Sequence, residues 1–378
     1  MDGLQVIQAV TELTPGLPVI VISGAGVMGD VAEALVHWVR KSLERRDLID
    51  QNSRYREKLG HKMTHDHNTL RNDLMKKTIL PLAIAAALPM SALADVTIYG
   101  KGSVSFQSVD EGKGSFTQLK SNDSRIGLMG KEKLNDSLTA IYKFEYQTDV
   151  ASGDNGDNNK TFTQRNIYVG LEGGFGQVIA GMFDTPLNTA QKKVDLFSDL
   201  EGDIGSLITN SDIRVEQSVQ YSTGKLLGPF VAKIDYLAEG KEDGVDGFST
   251  SIAYDSKYFY AAAAYNQDVE SKDVYRLVGQ AKFGPVQIGA LYEEEEDNDN
   301  GTENDGWVAS AKWSVTKDFA LKAQYGESDI KYTDGETYSL GADYKLSKNT
   351  KIFAYYTAEE ATGREDNTYG GVGLEIKF

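Results

Sequence analysis

The sequence predicts an all-β protein, a transmembrane antiparallel β-barrel of about sixteen strands over residues 95–378, behind an N-terminal extension that is partly helical or disordered. Three observations predict it. Apolar and polar residues alternate with period two over stretches of roughly 9 to 12 residues, the length a tilted strand needs to cross a bilayer. The connections between those stretches switch between tight turns and longer polar segments. The sequence closes at Phe378 on a strand in which every second residue, Val372, Leu374 and Ile376, is apolar. A mean hydropathy of −0.39 agrees with this class, because a spanning strand turns only every second side chain toward lipid.

Residues 1–74 read as an extension. Within 1–59 the segments MDGLQVI, PGLPVIVISG and GAGVMGDVAEAL resemble a truncated response-regulator receiver fragment, with Ser23 and Gly24 ending a proline-led apolar strand. The phosphoacceptor aspartate would lie upstream of Met1, no lysine–proline pair follows the helix, and Arg40 to Leu59 reads as a charged helix. With half its sheet missing the fragment cannot bury a complete core, so no phosphorelay activity is expected. The extension reads as a gene-start artefact or a fusion. Residues 75–94 read as a cleavable signal peptide: basic Lys76 and Lys77, an apolar run from Ile79 to Leu88, then Ala92-Leu93-Ala94. The run is too short for a spanning helix and is broken by Pro81 and Pro89. Cleavage after Ala94 would leave Asp95 first.

In the barrel segment the alternation is clear at Leu138, Ala140, Tyr142, Phe144 and Tyr146, with Thr139, Lys143, Glu145 and Gln147 interleaved. It recurs at Ile167, Val169 and Leu171, at Ile234 and Tyr236, and at Ile252 and Tyr254. A soluble β-sandwich also alternates, so the connections decide. Residues 108–123, 150–160, 239–247, 293–306 and 360–367 read as long. Asn135-Asp136, Gly173-Gly174, Lys225 to Gly228, Ser256-Lys257, Gly284-Pro285 and Lys348-Asn349 read as tight. Long loops on one rim and tight turns on the other are the layout of an outer-membrane barrel. Tyr99, Phe106, Tyr221, Tyr258, Phe259, Tyr260, Tyr292, Tyr325 and Tyr344 fall near strand ends, where amphipathic rings occupy the headgroup level. A barrel of this size encloses an aqueous channel rather than a filled core.

Composition removes other classes. There is no cysteine, so disulfides, thiolate nucleophiles and cysteine zinc sites are excluded. The formal net charge is −17, and the whole acidic excess follows Asp95, which argues against a nucleic-acid partner. All the histidines, His37, His61, His65 and His67, precede Met75, leaving the barrel without the usual proton-transfer base. No enzyme, cofactor or metal site is expected.

The stretches DVTIYGKGSVSF, SRIGLMGKEKL, NDSLTAIYKFEYQ, RNIYVGLEGGFGQVIAGMFDTP and YGGVGLEIKF resemble the general, non-specific porins of Gram-negative bacteria across residues 95–378. The resemblance implies a passive diffusion channel in the cell outer membrane for small hydrophilic solutes and ions. The alternatives are a substrate-selective outer-membrane channel and, further off, a structural or adhesive barrel. It implies an infolded third loop, here Asp184 to Ser211, that sets the narrowest point. It further implies basic wall residues at that point, Lys101, Arg125, Arg165 and Arg214, faced by loop carboxylates drawn from Asp199, Glu201 and Asp203. Opposed charges across a water-filled gap orient dipolar solutes and penalise apolar ones. A homotrimer, contacts with outer-membrane lipids and lipopolysaccharide, and handling by the barrel-assembly machinery, which reads a terminal phenylalanine, are implied as well. The acidic run Glu293 to Asp299 reads as a solvated outer loop in preference to a divalent-cation site, and Lys192 and Lys193 as either pore-facing or loop surface.

Overall fold

Strand-forming sequence with two-residue periodicity becomes one continuous antiparallel sheet that closes on itself. The computed structural model describes residues 96–152, 161–191, 194–241, 244 and 246–378. The extension, the signal-like segment, Lys192 and Lys193 lie outside the described residues. In chain order the strands are β1 (Val96–Asp110), β2 (Ser115–Ser121), β3 (Arg125–Lys133), β4 (Leu138–Gln147), β5 (Thr163–Gly173) and β6 (Gly176–Asp184). They continue with β7 (Arg214–Ser222), β8 (Phe230–Leu237), β9 (Gly247–Asp255), β10 (Phe259–Gln267), β11 (Lys272–Phe283) and β12 (Val286–Asp297). The last are β13 (Thr302–Ser314), β14 (Phe319–Ser328), β15 (Gly335–Lys345), β16 (Thr350–Glu360) and β17 (Asn367–Lys377).

The wall has sixteen staves, as the sequence implied, because β2 and β3 are two halves of one. Both pair with β1, over Val104–Asp110 and Val96–Lys101 respectively, and the break at 122–124 carries Asp123 at φ 49°. β1 pairs on its other side with β17 and closes the barrel, which leaves no unpaired edge. At that seam Phe378 exchanges backbone hydrogen bonds with Gly100 of 3.0 and 3.1 Å. Its ring lies over Gly100, where any Cβ would collide with it.

Side-chain alternation follows the wall. Along β1, Lys101, Ser103, Ser105 and Gln107 point inward and are buried, while Ile98 and Phe106 point outward and are exposed. Leu171, Ile234, Ile252, Leu340, Ile352 and Leu374 extend the outward apolar band around the barrel. An apolar exterior over a polar interior is what a bilayer outside and water inside require.

Two connections read as long are short. Residues 108–123 are mostly strand, turning only between Asp110 and Ser115, and 293–306 turn only between Asp297 and Thr302. In the second, Glu294 and Glu296 turn outward to water while Glu293 and Glu295 turn inward and are buried on Arg276 and Lys272, so acids occupy both phases and the hydropathic alternation disappears while the hydrogen-bond ladder continues. The acidic run is therefore not a solvated loop: Glu293 through Asp297 are in register with Gly306 through Thr302.

Candidate functional site

The connection after β6, residues 185–213, folds into the barrel. It opens on α1 (Pro186–Ala190), capped by Thr185, whose Oγ1 accepts from the Asn188 amide at 3.0 Å, with Pro186 supplying helical φ at the first position. It later forms α2 (Ile204–Leu207), capped by Asp203, which accepts from the Gly205 amide at 2.8 Å. Leu187, Ala190, Val194, Ile204 and Ile208 pack on inward-facing Tyr260, Ala262, Ala264, Val274, Val278, Leu291 and Val308. Strands β10–β13 are thus apolar on both faces, because lipid covers one and the loop covers the other. Farther on, Phe197 seats against Val109, Phe353, Tyr355 and Tyr369, on strands either side of the closing seam.

Polar ties fix the same segment. Arg276 is fully buried, pairs with Glu293, and donates to the Leu187 carbonyl at 3.2 Å, Gln191 Oε1 at 3.1 Å and Thr209 Oγ1 at 3.0 Å. Thr209 in turn donates to Glu293, so one buried ion pair holds both the outgoing and the returning limb. Gln324 accepts from the Leu196 amide at 2.8 Å and donates to the Gly202 carbonyl at 2.9 Å, and Lys322 donates to the Leu196 carbonyl at 2.9 Å. Sequence reasoning passed over Arg276, Lys322 and Gln324 and read Glu293 as part of a solvated loop. Their signal was available: charged or amide side chains on the inward phase of otherwise apolar strands.

The residues implied by the resemblance fall into three groups. Lys101 Nζ reaches Asp199 at 2.5 Å, with Arg125 Nη1 3.6 Å from the same carboxylate. Burial alone would raise the Asp199 carboxyl, but Lys101 and Arg125 hold it below its ordinary value. Arg165 is held instead by the wall, at 2.7 Å from Asp123, 3.2 Å from Glu145 and 2.6 Å from Gln147. Arg214 pairs with Asp184 at 2.8 Å, at the base of the loop. Among the acids, Glu201 meets Lys120 at 2.7 Å and accepts from Gln107 at 2.7 Å. Asp203 caps α2 and accepts from the Asp199 amide at 2.8 Å. Burial and the neighbouring Asp195 and Asp212 push the Asp203 carboxyl well up, and burial pushes Asp195 up to about 6. Lys101, Arg125 and Asp199 therefore come together, Arg165 and Arg214 are tied within the wall, and Asp203 serves the loop's own backbone. Lys120 was missed; its inward phase on β2 was the available signal.

On the short-turn side of this contact lies a water-accessible cavity of about 470 Å³, lined by Lys101, Asp199, Lys312, Lys322, Lys351 and Glu375 among others. The contact sets two wall cations against a loop carboxylate inside the barrel, beside this cavity.

Comparison with known proteins agrees. Residues 82–364 match the family described as Gram-negative porin. The major outer membrane protein P.IB of Neisseria lactamica is 27% identical over 345 residues, covering 80% of this chain and 100% of that protein. Its counterpart from Neisseria meningitidis serogroup B is likewise 27% identical, over 342 residues with the same coverage. Among solved structures, OmpF of Salmonella typhi in complex with daunomycin superposes with a TM-score of 0.61 at 16% identity, covering 75% of this chain and 97% of that one. OmpT of Vibrio cholerae in its trimer form gives 0.58 at 20% identity, covering 75% and 99%.

Proposed function

The chain belongs to the Gram-negative porin family, and from that premise we propose that Lys101, Arg125 and Asp199 form the selectivity constriction of its channel. As a porin it is an outer-membrane channel through which small hydrophilic solutes and ions diffuse passively. The observation that carries the proposal is the infolded loop, which brings Asp199 to Lys101 and Arg125 inside a closed barrel. Lys120 with Glu201 continues the facing charges toward the loop side. Opposed charges set a transverse field, so a solute that cannot replace lost hydration by charge or dipole interactions is held back. Arg165 and Asp203 support this geometry from within the wall and the loop, and Arg214, paired with Asp184, stands at the base of the loop.

The chain acts as a conduit and not as an enzyme; the absence of histidine after His67 supports that reading. The barrel begins after a signal peptide ending at Ala94 and assembles as a homotrimer within outer-membrane lipid and lipopolysaccharide, delivered by the barrel-assembly machinery. The trimer form of OmpT from Vibrio cholerae has the same fold.

Liposome swelling tests the function. Proteoliposomes should admit sugars at rates that fall steeply with size, and rates indistinguishable from protein-free liposomes would refute it.

A further inference from the structure

The two ends of the same strands carry opposite charge. At the short-turn ends of β13–β17 a cavity of about 250 Å³ is lined by six lysines, among them Lys317, Lys348 and Lys377, against three carboxylates, Asp318, Asp343 and Glu375. At the loop end of β14 the connection 329–334 carries Asp329 and Asp334 against Lys331, whereas Asp305, Glu327 and Glu336 share the outward phase of Leu340 and lie on the outer face of the wall. On balance the other connections divide the same way: Lys225 and Lys257 stand in turns against Asp136, and Asp268, Glu270, Asp299, Glu365 and Asp366 on the loop side against Lys113, Lys241 and Arg364. At about 3.4 Å per residue, the ten-residue β14 separates the two zones by roughly 30 Å along the strand. That is several times the Debye length of about 8 Å at physiological salt, so neither zone cancels the other.

We propose that the pore is axially bipolar and rectifies ion flow, carrying more current when its loop side is positive. An acidic mouth concentrates cations and a basic mouth concentrates anions. With the loop side positive, the field drives both populations toward each other into the lumen, and ion density there rises. With the field reversed, both are drawn out and the lumen is depleted. The proposal rests on the channel reading above and extends it from a transverse field at one level to an axial field along the whole pore.

The test is single-channel recording in planar bilayers with symmetric potassium chloride. Because the chain has no cysteine, Asp299→Cys provides a single thiol. Biotinylated there, it reports the loop side by its capture with streptavidin added to one chamber. At 0.1 M salt the loop-positive current should exceed the reverse by about 1.5-fold or more, and the ratio should fall toward one at 1 M, where the Debye length is about 3 Å. Lys317→Glu with Lys348→Glu should bring the 0.1 M ratio toward one, and so, independently, should Glu270→Lys with Asp366→Lys on the loop side. All four positions lie outside the strands. Channels that conduct with a ratio of one at 0.1 M, or with a ratio that neither pair of variants moves, overturn rectification and leave the channel reading standing. The absence of any conductance would instead overturn the channel reading.

Discussion

Removing the Arg125 guanidinium separates a pore-facing charge from a structural one. Its contact with Asp199 is 3.6 Å, and its side chain remains a quarter exposed to the lumen. A monovalent ion passing about 5 Å away feels about 0.8 kcal/mol from that charge at the dielectric constant of water. Screening with a Debye length of about 10 Å at 0.1 M reduces this to about 0.5 kcal/mol. That is roughly two-fold in local concentration, upward for cations and downward for anions, so the permeability ratio of Arg125→Ala should move roughly five-fold toward cations. From a non-selective start this is a reversal-potential change of about 30 mV in a tenfold potassium chloride gradient. Arg165→Ala is the control. Arg165 is only 5% exposed and held by Asp123, Glu145 and Gln147, so its loss leaves a buried carboxylate short of a partner and costs about 3 kcal/mol of stability. It should move the reversal potential far less. An unchanged reversal potential in Arg125→Ala would show that this charge does not face the permeating ion.

Arg276→Ala should lower the unfolding free energy by about 3–5 kcal/mol, because it strands the buried Glu293 and frees both limbs of the inner loop. Its channels should be noisier, and unchanged thermal stability would contradict the staple. Asp195 has a folded value raised from 3.8 to about 6, so its contribution is complete below its unfolded value and is lost as pH rises through about 6. Protection factors of amides in residues 197–205, which are corrected for the base-catalysed intrinsic rate, should be higher near about pH 5 than near about pH 8, and the opposite order would show the sign to be wrong. Leu340, 60% exposed on the outer face at the middle of β15, should cost about 2–4 kcal/mol on replacement by arginine. Denaturant titration in lipid vesicles measures that cost, and a value near zero would place this face away from lipid.

The barrel was legible wherever lipid and water lie on opposite faces of a strand, as along β4 and β17, because only there does a period-two ladder write itself as alternating hydropathy. Legibility failed where the residues on the two faces become alike. Glu293 to Asp297 lie beyond the apolar band with acids on both faces, so a continuing strand read as a loop. Ala262, Ala264, Val278 and Leu291 are apolar toward the lumen because the inner loop covers them, a contact between distant segments that local periodicity cannot carry. Of the four basic wall residues, Lys101 and Arg125 meet a loop carboxylate. Arg165 and Arg214 find partners on their own wall, and only register and bulge geometry, such as the shift between Phe144 and Tyr146, decides which charge turns where.

The most direct measurement is current through a planar bilayer carrying the purified, detergent-folded protein. Stepwise openings of a size set by a water-filled lumen are predicted, ohmic at 1 M salt where surface charge is screened, and occurring in threes if the trimer forms. A silent bilayer from protein whose β-sheet content and heat-resistant folded form are intact would contradict the channel itself.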